Sequence, residues 1–307
     1  LGVDKKYLHP LPMMVPTVVE SRGKAVTVTL LDANHCPGAV MFLFQVGPKH
    51  ILHVGDFRWS RDIMFHQQYL KPFLFSRKLR LDELFLDTTY CNPKYTLPSQ
   101  EQTVQATLKV VQDEVKRAKE SGSRVLHLFG AYTIGKERMY MAVAQHFGWR
   151  IFVDRRRYRV LQASGWPPEQ MTLFTTTPTN DSCIWVVPMG DLNMKKLPKY
   201  FETAMSLSLA SPGVAPCDRI VGYSPTGWSL SAKPGRGLVG KRSSGKITIY
   251  SVPYSEHSSF PELVDCLKCL NPRRTIPTVS VSKTKEQLAL LEKGARETQT
   301  TIQLRSS

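Results

Sequence analysis

Four short segments of this 307-residue sequence put a metal-binding or proton-handling side chain where an apolar run stops. In Leu30-Leu31-Asp32-Ala33-Asn34-His35-Cys36-Pro37-Gly38 a strand-like run ends in a polar cluster, with His35 on a sharp turn where a metal ligand needs to stand. In His53-Val54-Gly55-Asp56-Phe57-Arg58 a glycine lets the chain turn and delivers Asp56, a carboxylate able to hold one metal ion or bridge two. Leu84-Phe85-Leu86-Asp87-Thr88-Thr89-Tyr90 repeats the design with Asp87, followed by hydroxyls suited to phosphate oxygens. Val252-Pro253-Tyr254-Ser255-Glu256-His257-Ser258-Ser259 offers His257 in the same position after a strand. Each has an ordinary alternative: a loop or core histidine for His35, a turn or helix-capping aspartate for Asp56. Carboxylates and imidazoles at several strand ends, however, converge on one edge of a sheet in many α/β architectures, and the set favours a site.

A fifth segment, Gly130-Ala131-Tyr132-Thr133-Ile134-Gly135-Lys136-Glu137, follows a strand, opens a helix and spells GxxxxGK. A nucleotide-binding loop of that type needs Ser or Thr next, to hold magnesium, and Glu137 stands there instead. Backbone donors and a lysine at a helix start serve a terminal phosphate equally well.

The elements that must position these residues change character along the chain. About the first 90 residues are β-rich, with short apolar or alternating runs at Val26 to Leu31, Ala39 to Val46, His50 to Val54 and Leu84 to Leu86. From Ser99 to about Ser121 the apolar spacing turns helical. Arg124 to Phe129 then predicts a buried strand, Lys136 to His146 a helix and Arg150 to Val153 a strand, the alternation of an α/β layer. Ser206 to Pro216 and Ser229 to Lys246 are rich in Ser, Gly, Pro and Lys and predict loops, the second one basic. Thr248 to Val252 returns to strand, followed by a helix at Pro261 to Leu270, a strand at Thr275 to Val281 and a helix at Lys283 to Arg296.

A chain of this length that is 42% hydrophobic can bury a sizeable core and is expected to form two lobes. Its 41 Lys and Arg against 25 Asp and Glu, a formal charge of +16, suit nucleic acid or an acidic membrane surface, and a merely solvated basic surface is the plain alternative. Six scattered cysteines include one CxxC, Cys266-Leu-Lys-Cys269, with no second pair to complete a zinc knuckle. Both lie in an apolar-periodic run, so they are expected as core residues of a helix in a protein of the cell interior. No apolar run approaches a membrane span, and the residues from Leu1 show no charged segment leading into an apolar one, which leaves a targeting signal upstream of Leu1 open.

Six segments, Asp-Ala-Asn-His-Cys-Pro-Gly-Ala-Val, His-Val-Gly-Asp-Phe-Arg, Leu-Asp-Thr-Thr-Tyr-Cys, Tyr-Thr-Ile-Gly-Lys-Glu, Pro-Thr-Gly-Trp and Pro-Tyr-Ser-Glu-His-Ser-Ser, the five above with Pro-Thr-Gly-Trp added, stand in one order and spacing. In this the chain resembles the DNA cross-link repair nucleases of the β-CASP metallo-β-lactamase family, the Artemis- and Apollo-like enzymes, over nearly its whole length. The resemblance implies an α/β fold: a metallo-β-lactamase αββα sandwich, incomplete at its N-terminus, with an inserted α/β β-CASP domain. The expected division is 1–90 for the first part of the core, 91–222 for the insertion and 223–307 for the return to the core, with a basic loop near 229–246. It makes His35 a zinc ligand, Asp56 the bridging ligand, and Asp87 and His257 the acid and histidine of two β-CASP motifs. The third motif falls at Val279, where RNA-processing relatives carry histidine, so the resemblance implies DNA as substrate.

It further implies 5′-to-3′ exonuclease activity on single-stranded or damaged DNA with 5′-phosphorylated ends, in the nucleus, in interstrand cross-link and double-strand break repair including non-homologous end joining. Repair proteins are the expected partners, and no membrane is. One tightly held zinc ion, or two metals, is expected in a complete domain. Thr133, Lys136 and Ser255 are expected to anchor the 5′ phosphate, while Lys241 and Arg242, in the basic stretch beginning at Lys233-Pro-Gly-Arg236, would track the DNA backbone. That stretch as a plain solvated loop is the alternative.

One feature departs from the family. Its first metal motif, His-x-His-x-Asp-His, is not spelled by any of the eight histidines, and Leu8-His9-Pro10-Leu11-Pro12 resembles a segment that lies after that motif. The expectation is a truncated copy whose missing ligands belong upstream of Leu1, leaving these residues to bind metal weakly and cut little or nothing. The rival is a non-catalytic DNA-binding or scaffold protein with a decayed metal site. A hydrolase of small esters or lactams is disfavoured, because the added motifs and the basic charge have no role in it.

Overall fold

The computed structural model describes residues 3–21, 23–76, 78–227 and 238–305. The chain divides into two compact units, Leu1–Thr96 with Glu256–Ser307, and Leu97–Ser255. These bounds differ from the expected 90/91 and 222/223. The later return has a plain cause: the strands on both sides of residue 223 hydrogen-bond into the sheet of the second unit, so nothing leaves it before residue 255.

The first unit is built on one mixed sheet. Strands β1 (Thr17–Ser21), β2 (Lys24–Asp32), β3 (Val40–Val46) and β4 (Lys49–His53) run antiparallel to one another. β5 (Glu83–Leu86) joins β4 in parallel, and the last strand of the chain, β13 (Arg274–Pro277), joins β5 in parallel. Successive side chains on a strand point to opposite faces. Leu31, Met41, Leu43, Leu52, Leu84 and Leu86 therefore share one face and are buried with Phe260, Leu263, Leu270 and Leu291 from the helices α7 (Phe260–Leu270) and α8 (Thr284–Arg305). The opposite face carries Phe42, 36% exposed, Val46, 38% exposed, and half-buried Val26, Phe44, Ile51 and Phe85. A short helix, α1 (Arg61–Met64), follows β4. Cys266 and Cys269 are buried core residues of α7, as their spacing suggested. The strand expected at Thr275 to Val281 stops at Pro277, and Ser280, at φ 53°, turns the chain toward α8.

The second unit follows parallel-sheet logic: its central strands are buried on both faces and read as continuous apolar runs. α2 (Gln100–Glu120) begins at a capping box of Ser99 and Gln102. It is followed by β6 (Arg124–Ala131), α3 (Glu137–Phe147), β7 (Ile151–Phe152), α4 (Arg155–Ala163), α5 (Pro168–Met171), β8 (Phe174–Thr175) and β9 (Ile184–Pro188). α6 (Leu197–Leu209), β10 (Cys217–Pro225), β11 (Gly240–Ser244) and β12 (Ile247–Val252) complete it. The sheet order is β11-β12-β10-β6-β9-β7-β8, parallel throughout except for the β11–β12 hairpin. Along β6, Val125, Phe129 and Ala131 enter one core with α2 and α3, while Leu126 and Leu128 enter another with α6.

Two loop expectations change. Residues 206–209 are the last turn of α6, whose serines satisfy themselves on carbonyls of the preceding turn, as Ser206 does on Glu202 and Ser208 on Ala204. Of the basic stretch, residues 240–244, with Lys241 and Arg242, form the edge strand β11, paired to β12 around Gly245 at φ 55°. Lys233 and Arg236 lie outside the described residues.

Candidate functional site

The first unit gathers His35, Asp56 and His257 so that one ligand atom of each lies within 4.8 Å of the others. His35 comes from the turn after β2, where Asn34 sits in the left-handed region at φ 52° and Gly38 at φ 85°. Asn34 is suited to that conformation because its main-chain N–H donates to Asp32 at 2.7 Å and its side chain donates to the Arg58 carbonyl at 3.0 Å. The two loops are locked together again by the Arg58 N–H, which donates to the Ala33 carbonyl at 3.0 Å. Arg58, 3% exposed, is itself fixed by Glu262 of α7 at 3.0 Å.

Asp56 stands beyond the β4 end and is exposed. Gly55 before it adopts φ 58°, and a Cβ there would meet the Val40 carbonyl oxygen at 3.3 Å. The side chain that follows, Phe57, is fully buried and anchors the turn.

The imidazoles are held through their Nδ1 atoms. Nδ1 of His35 lies 2.9 Å from the Glu256 carbonyl, which can only accept, so that nitrogen carries the proton and Nε2 carries the lone pair. Nδ1 of His257 lies 2.7 Å from Asp87 Oδ2. The rings of His35 and His257 meet edge to face with centroids 4.7 Å apart. Asp87 is 2% exposed, and burial alone would push its carboxyl up. The hydrogen bonds from His257 and Thr89 outweigh that and hold it below the usual carboxylate range, so it stays charged. Thr88 Oγ1 donates to the Val279 carbonyl at 3.0 Å, which sets the third motif position beside Asp87.

The donor set fits a divalent metal of zinc type: two imidazole nitrogens and one carboxylate, each imidazole oriented by a hydrogen bond on its other nitrogen. His257 is thus a third donor, where the sequence suggested only His35 and Asp56. Sequence reasoning missed the supports, Asn34, Arg58, Glu262 and the Glu256 carbonyl. A backbone acceptor leaves no trace in residue types, and the Arg58–Glu262 pair is separated by most of the chain.

In the second unit, the GxxxxGK segment spans the end of β6 and the start of α3, as expected. Lys136 is the helix N-cap at φ 71°, 8% exposed, with Nζ 5.3 Å from the centre of the buried Tyr254 ring, next to Ser255. Ser255 is 3% exposed and its carbonyl accepts from Gln100 at 3.0 Å. Thr133 is exposed on the same loop. Glu137 turns back to accept from the Gly135 N–H at 2.9 Å, a loop-closing part that a magnesium-binding hydroxyl could not play. Lys241 faces Glu114 at 3.8 Å, and Arg242 is exposed on β11.

A helix-backed mixed sheet with a His-Asp-His cluster at its strand ends, interrupted by a parallel α/β unit, defines a metallo-β-lactamase fold with a β-CASP insertion. The DNA repair metallo-beta-lactamase family matches residues 168–283. The chain is 36% identical to the Arabidopsis thaliana DNA cross-link repair protein SNM1 over 91% of its own length and 53% of that protein. It is 36% identical to the Mus musculus DNA cross-link repair 1A protein (92% and 25%) and 31% identical to the Gallus gallus 5′ exonuclease Apollo (91% and 50%). A crystal structure of a protein of unknown function from Enterococcus faecalis V583 shares the fold, with TM-score 0.51 and 15% identity over 92% of this chain and 65% of that one. The chain thus matches the DNA repair metallo-β-lactamase family over part of its length, and resembles DNA cross-link repair proteins over most of it. It spans about half the length, or less, of the relatives named.

No helix among the described residues is long and apolar enough to cross a membrane.

Proposed function

We propose that the chain is the nuclease part of a zinc-dependent 5′-to-3′ DNA exonuclease of interstrand cross-link and double-strand break repair, working in the nucleus with other repair proteins. The observation that carries the reading is the His35, Asp56 and His257 cluster, backed by Asp87, in a chain whose relatives include a protein named 5′ exonuclease. Zinc held there would supply Lewis-acid polarisation of the scissile phosphate and lower the pKa of a water toward about 7. His35 and His257 would ligate through Nε2, because hydrogen bonds occupy their Nδ1 atoms. Asp56 would be the anionic ligand. Asp87 holds His257 in orientation through Nδ1, which leaves Nε2 facing the metal.

Thr133, Lys136 and Ser255 are assigned to the terminal 5′ phosphate, because a loop with a lysine at a helix start offers donors and positive charge together. Arg242 and the outer part of Lys241 would meet backbone phosphates further along. Val279 in place of a histidine favours DNA over RNA as the substrate.

The test is a nuclease assay on a 5′-phosphorylated, 3′-labelled single-stranded oligonucleotide with added zinc. It uses these 307 residues and the longest reading frame that contains them. Degradation from the 5′ end by the longer protein, abolished by His35→Ala, is the expected outcome. If both bind DNA and neither cuts it, the enzyme reading fails and a DNA-binding scaffold replaces it.

A further inference from the structure

The sequence Asp154-Arg155-Arg156-Arg157-Tyr158-Arg159 opens α4, and its arginines divide by environment. Arg157 is 7% exposed and its guanidinium faces the carbonyls of Ala131, Tyr132 and Thr133, the start of the GxxxxGK loop. No carboxylate is among those partners, so its charge is left uncancelled behind the loop. A guanidinium bonding three successive carbonyls fixes a loop that has no backbone ladder of its own.

Outside that bracket the surface is basic and carries one aromatic ring. Arg155, Arg156 and Arg159 are exposed, and no described acid pairs with them. The carboxylate of α4's own cap, Asp154, accepts from the Arg157 N–H at 2.8 Å. Tyr132 is 68% exposed, with no ring or hydroxyl partner among the described residues. A large aromatic left in solvent on a loop that a buried arginine holds still needs an explanation other than packing. Base faces stack on such rings, and unpaired arginines beside them suit the phosphates between the bases.

We propose that the Tyr132 to Lys136 loop and the exposed arginines of α4 form one surface for single-stranded DNA. Tyr132 stacks on a base, Arg155, Arg156 and Arg159 take the neighbouring phosphates, and Arg157 is the positioning residue that fixes Tyr132. The inference rests on the DNA-nuclease reading for its ligand, but it turns on Tyr132 and the arginines of α4, which lie outside the metal cluster and are not among the 5′-phosphate donors.

Fluorescence anisotropy of the 307-residue chain tests it, with a 3′-labelled oligothymidylate and an abasic oligonucleotide of the same length. Tyr132→Ala is expected to weaken binding to oligothymidylate about tenfold while leaving abasic binding unchanged, and Tyr132→Trp to restore it. Replacing Arg155, Arg156 and Arg159 together by Ala should weaken both ligands and flatten the log–log salt slope by about 2, the counterion effect of three phosphates on a single strand. All these side chains are exposed, so their loss leaves the fold intact. A Tyr132→Ala effect equal on both ligands, an unchanged salt slope in the arginine variant, or a wild-type chain that binds neither ligand overturns the proposal. Tight, ring-dependent binding in a protein that cuts nothing sinks the nuclease reading alone.

Discussion

Glu114 of α2 shows how far one side chain can organise the second unit. Its carboxylate is 1% exposed and accepts from the Tyr250 hydroxyl at 2.6 Å and the Arg117 guanidinium at 2.6 Å, with Arg219 at 3.4 Å and Lys241 at 3.8 Å. Burial pushes its pKa up, and the hydrogen bonds and cations together bring it below the usual carboxylate value. A depressed carboxylate contributes stability above its unfolded value, about 4.3, and loses it as pH falls through the folded value. Glu114→Gln is therefore expected to cost roughly 2 kcal/mol near neutrality, and the gap to wild type to close in acid below pH about 4. Urea denaturation at the two pH values checks this. A gap that persists unchanged in acid would mean the network matters for shape rather than charge. At the metal cluster, zinc titration by calorimetry is expected to find one ion bound on the order of micromolar, since three donors hold it and Asp56 is exposed. Asp87→Asn should weaken it by roughly 10–100-fold by releasing His257, whereas an unaltered affinity would remove Asp87 from the site.

The turns between elements place these residues, and there glycine matters most at Gly55. It needs φ 58° and lies close under the Val40 carbonyl, so Gly55→Ala should destabilise by about 1–2 kcal/mol and weaken zinc binding together, by shifting Asp56. Loss of stability with intact metal affinity would show that the turn relaxes away from the site. Elements with one buried face were legible beforehand: β2 to β5 by apolar or alternating runs, and α2 and α7 by helical spacing. His35, Asp56 and His257, which the structure brings together, were legible as candidates because each follows a strand end. What stayed hidden has physical reasons. β10 belongs to the second sheet through partners distant in sequence, which no local pattern announces. α6 carries Ser206 and Ser208 in its last turns, so composition reads as loop where tertiary burial of Leu197 and Ala204 wins. The arginine run of α4 gives no hint that its third member turns inward to bind carbonyls.

At the scale of the molecule the two units bury apolar surface differently. The second closes both faces of its sheet between two cores. The first covers one face with α7 and α8 and leaves on the other a band of Phe42, Phe44, Val46, Ile51 and Phe85, with the Phe42 and Phe44 rings stacked at 5.8 Å. In an αββα sandwich a sheet with helices on one face meets the opposite sheet on the other, so this band has the composition of an interior. Monomers rarely leave a contiguous apolar patch of this kind in water, and a dye of the anilinonaphthalene type binds such patches without unfolding. The 307-residue chain is therefore expected to bind the dye while its near-ultraviolet circular dichroism stays native, and to self-associate as salt rises and its +16 charge is screened. Phe42→Lys with Val46→Lys should remove at least half of the dye signal and the association without lowering the melting temperature, because both side chains are already in part solvated. A melting temperature that falls by many degrees would instead make the band part of a packed interior, and dye binding unchanged by the two lysines would move the exposed surface elsewhere.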